Sequence, residues 1–206
     1  GVRRLTAPNG TRIEIDALNP AVIQPPTEHA FVVRRLADQA PWVIGRAGMQ
    51  YRDLVPSRLG GAIIASHIRI PDGVPAEHVT EIDHDMALPT PLLRPDREWQ
   101  GQRFVHDIGA RAPFVPFRIP GFEARDTTIN DSTKGVASVM VVRPIGAAPA
   151  TRHDTDILFT YVMSGEMTLA GEDQASCRLT TGDAFVVPPG MSTRYEDATT
   201  DLQLLE

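Results

Sequence analysis

From residue 135 to residue 206 the sequence is a succession of short β-rich runs, each closed by a strong turn signal. Residues 136–143 are β-branched and apolar and stop at Pro144-Ile145-Gly146; residues 156–163 stop at Ser164-Gly165, and residues 166–170 at Gly171-Glu172-Asp173. Residues 176–180, 184–187, 192–197 and 202–205 follow, parted by Thr181-Gly182-Asp183 and Pro188-Pro189-Gly190. Runs of this length, with no helical period between them, cannot build helical layers. Spaced roughly ten residues apart, they describe an all-β sandwich or small barrel. The chain's 16 glycines and 18 prolines are spread over its whole length and extend that reading to the rest.

A second feature is an internal repeat. Phe31-Val32-Val33 recurs as Phe104-Val105-His106, and Ala40-Pro41-Trp42-Val43 as Ala112-Pro113-Phe114-Val115. Arg52-Asp53 and Pro71-x-Gly73 recur, 73 residues on, as Arg125-Asp126 and Pro144-x-Gly146. Matching apolar runs lie between them at 62–70 and 135–143, and Glu14-Ile15-Asp16 and Glu81-Ile82-Asp83 open the two units. The copies then diverge. After Gly146 the second runs on for 60 residues, whereas after Gly73 the first passes within a few residues into the next unit. This implies a first unit at 1–80, consisting of a lead-in and first strands only, and a second unit at 81–206 with its barrel body at 135–206. It also carries the expectation that Gly73 and Val74 flank a missing barrel body.

Composition narrows the functional classes. A net charge of −6 gives no electrostatic footprint for nucleic acid. No apolar run approaches the roughly 18 residues of a membrane span, and Gly1-Val2-Arg3-Arg4-Leu5 turns polar at once, without a secretory core. A cytoplasmic protein with no membrane partner is the expectation. A lone cysteine, Cys177, allows neither an internal disulfide nor a multi-cysteine zinc cage and reads as a small strand residue. Neither a G-x-S-x-G elbow, a P-loop nor a G-x-G-x-x-G loop is present.

Gly182, Pro188 and Gly190 stand in the order G-x5-P-x-G, and Gly146 and Gly165 bracket the preceding run. In these positions the chain resembles the cupin superfamily, whose two signatures are G-x5-H-x-H-x3/4-E-x6-G and G-x5-P-x-G-x2-H-x3-N. With the repeat, the resemblance implies a jelly-roll β-barrel in a tandem (bicupin) arrangement with an incomplete first barrel. Both signature glycines, Gly146 and Gly165, are expected to serve turns or positive φ at barrel corners.

The resemblance also implies a divalent metal held by two histidines, a glutamate and a third histidine. Laid on this sequence, those positions fall on Thr151, His153, Leu158 and Thr193; a one-residue shift puts Arg152 and Asp154 in place of the first two. Neither set makes a credible site, so no metal is expected in the second barrel. His153, Thr151 and Thr193 remain as weak ligand-binding candidates, and no catalytic residue can be assigned. Some relatives of this kind act as sugar epimerases through a His and a Tyr, which makes Tyr161 and Tyr195 candidates by type. If Leu158 points inward, as the resemblance implies for its position, strand alternation turns Tyr161 outward. The outward face of Ile157, Phe159, Tyr161 and Met163 is too apolar for water and should be covered by the other unit, the lead-in or a second chain. His67 reads as a core or interface histidine; His29, His78, His84 and His106 lie in lead-in segments.

Two functional classes stay open. One is a bicupin enzyme acting on a small organic molecule, by metal-dependent dioxygenase, decarboxylase or isomerase chemistry with Fe, Mn, Ni or Zn in the first barrel. The other is a non-catalytic small-ligand-binding or regulatory protein. A homodimer is expected in either case.

Overall fold

A computed structural model describes residues 3–16, 26–38, 40–45, 48–71, 98–99 and 101–206. The strands of the first unit are β1 (Arg3–Thr6), β2 (Arg12–Ile15), β3 (Val32–Arg34), β4 (Val43–Ile44), β5 (Gln50–Asp53) and β6 (Ser66–Arg69). A short hairpin, β7 (Glu98–Trp99) and β8 (Gln102–Arg103), precedes β9 (Val115–Pro116), β10 (Phe122–Asp126) and β11 (Met140–Pro144). The rest are β12 (Leu158–Ser164), β13 (Glu166–Gly171), β14 (Cys177–Thr180), β15 (Ala184–Val187), β16 (Thr193–Glu196) and β17 (Gln203–Leu205).

Two antiparallel sheets enclose the main core. One has the order β3-β15-β12-β17-β11-β10-β9, the other β14-β13-β16. Inward side chains from both, among them Phe122, Val142, Leu158, Val162, Phe185 and Leu204 from the first and Met167, Leu169, Leu179 and Tyr195 from the second, pack into a single cluster. Each such burial stabilises the barrel by about 1.5–3 kcal/mol. Alternation on β12 is as the sequence implies. Leu158, Thr160 and Val162 are buried inside, while Ile157, Phe159 and Tyr161 are half-buried on the outer face and Met163 is 42% exposed.

β4-β5-β6 and β9-β10-β11 are the same antiparallel meander: Tyr51 opposes Val43 and Ile68, as Ala124 opposes Val115 and Val142. Val43 (64% exposed) and Ile68 (50% exposed) flank Tyr51, whereas in the other meander Val115 is 48% exposed and Ala124 and Val142 are buried. β11 continues the sheet to β17, whereas β6 has no second partner among the described residues. The junction of Gly73 and Val74, and with it His78 and His84, lies outside the described residues.

Two of the expected strands are shorter in the structure. Within 62–70 only Ser66–Arg69 is extended, because residues 58–61 form a tight helical turn with Leu59 and Gly60 at positive φ. Residues 136–139 are likewise not strand. Thr133 Oγ1 donates to the Ala137 carbonyl and accepts from its N–H, so side-chain bonds replace the ladder there.

Strand β3 and residues 55–65 pack on the barrel's outer face. β3 adds to the edge of β15, and Val55, Leu59, Ile63 and Ala65 pack over Ile157, Phe159 and Val186. Buried Arg52 donates to the Gly182 carbonyl at 3.1 Å, and the Asp183 carboxylate accepts the Leu36 N–H at 2.7 Å. His67 is an interface residue, edge-on to Trp42 and Tyr161. Burial, and then the charge of Arg52, holds its pKa below the ordinary 6.5.

Candidate functional site

The positions that the cupin signatures assign to a metal do not converge on one here. Thr151 and Thr193 are joined backbone to backbone, N–H to carbonyl at 2.8 and 2.9 Å, as an isolated bridge. Thr193 is buried. Leu158, in the carboxylate position, is a core residue with no lone pair to give. His153 Nε2 lies 3.0 Å from the Val187 carbonyl, which places its proton on Nε2. Its Nδ1 is buried without a hydrogen-bond partner. A single imidazole nitrogen beside two threonine hydroxyls is not a transition-metal donor set. Among the described residues no group of three or more His, Cys, Asp or Glu could hold a metal ion.

What the fold does bring together is an ion pair beside aromatic and hydroxyl groups. Arg118, in the link from β9 to β10, donates from Nε and Nη2 to the two carboxylate oxygens of Glu206 at 2.9 and 2.7 Å. The two side chains are 32% and 11% exposed. Burial is the largest influence on Arg118 and works against its charge, but the Glu206 carboxylate outweighs it and the pKa is raised. Arg118 also stacks on the Phe117 ring, 5.1 Å from its centroid. Tyr195, between Phe122 and Phe185 edge to face, is fully buried. Burial first, then the Glu206 charge, raises its pKa and keeps the phenol protonated. Next to it lies the buried Thr160 hydroxyl, whose contact with the phenol works against that rise.

Arg118 and Glu206 form part of the wall of a cavity of about 650 Å³. Most of the lining is apolar: Val115, Phe117, Ala124, Met140, Leu158 and Leu205, with Ile63 reaching in from the first unit. Asp126, Ser138 and Thr155 supply the remaining polar side chains. This is the composition of a pocket for a small organic molecule, a mostly apolar enclosure with few oriented polar groups.

The buried Thr160 hydroxyl gives a direct test of this description. Thr160→Val keeps the shape of the side chain and removes the hydroxyl beside Tyr195, so stability should change by no more than about 1 kcal/mol. A loss of more than about 1 kcal/mol in urea unfolding would contradict it.

His153 feels the same neighbourhood. Burial chiefly lowers its pKa and Arg118 adds to that, against the Val187 carbonyl and Glu206, with a net fall below 6.5. With His67 also lowered, the unfolded chain takes up both protons first. The stability these groups confer is therefore complete above pH 6.5 and is lost as pH drops below it toward the folded values. Urea midpoints should fall between about pH 7.5 and about pH 5.5, and fall less in a His67→Phe variant. Identical pH slopes for the variant and the parent would contradict this assignment.

Of the residues singled out by sequence, His153 lies close enough to the ion pair to feel both charges, Tyr195 faces inward and Tyr161 faces outward against His67. Thr151 and Thr193 act through their backbones. Arg118, Glu206 and Thr160 were not foreseen. The available signal was periodicity: Leu202, Leu204 and Glu206 alternate on one face, which puts an acid where a partner is required.

Comparison with known proteins bears on the fold. The cupin domain family matches residues 138–205. KdgF from Halomonas sp. superposes with a TM-score of 0.38 at 19% identity, over 48% of this chain and 87% of that one. A predicted oxalate decarboxylase from Thermotoga maritima gives a TM-score of 0.40 at 17% identity, over 48% and 92%. Streptomyces albus HEPD, with 2-hydroxyethylphosphonate and Fe(II) bound, gives 0.37 at 17% identity, over 48% of this chain and 24% of that one. No curated protein matches the chain. With its two facing antiparallel sheets and this family match, the chain contains a cupin domain at residues 138–205.

Proposed function

We propose that the barrel is a metal-free receptor for a small organic molecule, and that it is the second of two cupin units whose first is incomplete. The bidentate Arg118–Glu206 pair at the wall of an apolar cavity of about 650 Å³ carries the first part. Cavities of roughly 300–1,000 Å³ accommodate small ligands, and a fixed ion pair in such a wall orients the polar end of a guest. The second part is supported by the sequence repeat and by the like order of two three-stranded antiparallel meanders, β4-β5-β6 and β9-β10-β11.

Thr155 is exposed at the cavity wall, so Thr155→Trp should obstruct the cavity without entering the core. In saturation-transfer NMR with a library of aromatic and aliphatic fragments, the parent chain is expected to give hits that Thr155→Trp loses at unchanged melting temperature. Hits indifferent to this substitution, or an absence of hits, would refute the receptor reading.

A further inference from the structure

We infer that the cavity is selective for an uncharged molecule with an apolar body and a hydroxyl-type head, and that Glu206 is the residue that excludes anions. This rests on the receptor reading and names the class of ligand. A guanidinium at a cavity wall ordinarily recruits carboxylates, whose geometry its fork matches. Here the fork is already taken, with Nε on Oε1 at 2.9 Å and Nη2 on Oε2 at 2.7 Å. Asp126 adds a second carboxylate to the lining, and Arg118 is the lining's one Arg or Lys. An entering anion therefore meets two fixed negative charges and a cation that is already engaged, among apolar walls that strengthen the repulsion. An ammonium ion would be drawn by the same charges, yet it would give up its hydration to Phe117, Leu158 and Met140. An alcohol avoids both penalties.

The experiment uses three probes with one bicyclic body, 2-naphthylmethanol, 2-naphthoate and 2-naphthylmethylammonium, titrated into the full chain at neutral pH and followed by NMR. The alcohol is expected to bind, with naphthoate and the ammonium each weaker by about tenfold or more. Glu206→Gln frees the Arg118 fork and should raise naphthoate affinity by about tenfold. Should that variant fail to fold, Asp126→Asn, which keeps the oxygen that accepts the Thr128 N–H, should raise it in the same direction. Naphthoate or the ammonium binding the parent as tightly as the alcohol would overturn the inference and leave the receptor reading standing. So would a naphthoate affinity that rises in neither variant. If none of the three binds, the receptor reading falls and the inference with it.

Discussion

Gly165→Ala is expected to destabilise the barrel by about 3 kcal/mol or more, whereas Gly146→Ala should change its stability by no more than about 0.5 kcal/mol. The two glycines close and open the same signature, but their backbones differ. Gly165 turns the chain from β12 into β13 at φ +71, and a Cβ there would lie 2.6 Å from the Leu202 backbone N and Cα and from Thr199 Oγ1. The positive φ alone costs an alanine about 1–2 kcal/mol, and the backbone contact forces β17 away from β12, which it pairs through Val162 and Leu204. Gly146 has no positive φ, and nothing lies within 4 Å of a Cβ built on it. The expectation that both glycines serve a strained corner therefore holds for Gly165 alone. Urea unfolding of the two variants would separate them, and equal losses would show that the corner at Gly165 relaxes more freely than the structure implies.

The second large effect lies in the ion pair. Arg118→Met leaves the Glu206 carboxylate, 11% exposed, beside the buried Tyr195 without its cation. Stranding one partner of a buried pair costs about 3–5 kcal/mol; with Arg118 about a third exposed, about 2–3 kcal/mol is the expectation. Combining Arg118→Met with Glu206→Gln should recover most of that loss, since no charge is then left unpaired. Additive losses in the double variant would mean that the two side chains matter for packing and not as a pair.

These two sites also mark how far the sequence could be read. The strands of 156–187 were legible because alternation and turn residues agree locally: Leu158, Thr160 and Val162 face inward, and Ala184–Val187 is buried throughout. The ion pair was not, because Arg118 and Glu206 are 88 residues apart and neither belongs to a family motif. Nor could the sequence name the partner of β3. A three-residue strand, Val32–Arg34, carries too little pattern to tell that it pairs with β15 across the unit boundary. The run at 136–139 was misread for a physical reason as well, since the Ala137 N–H and carbonyl are both taken by the Thr133 hydroxyl.

Isothermal titration of the chain and its His153→Ala variant with Fe(II), Mn(II), Ni(II) and Zn(II), paired with a crystal structure of any metal-loaded form, distinguishes an organic pocket from a metal centre most directly. The parent and the variant are expected to give the same isotherms, because Leu158 and Thr193 stand where a carboxylate and an imidazole would be needed. A one-to-one site abolished by His153→Ala, with the ion about 2.0–2.2 Å from His153 and from two further side chains of the barrel, would contradict this account.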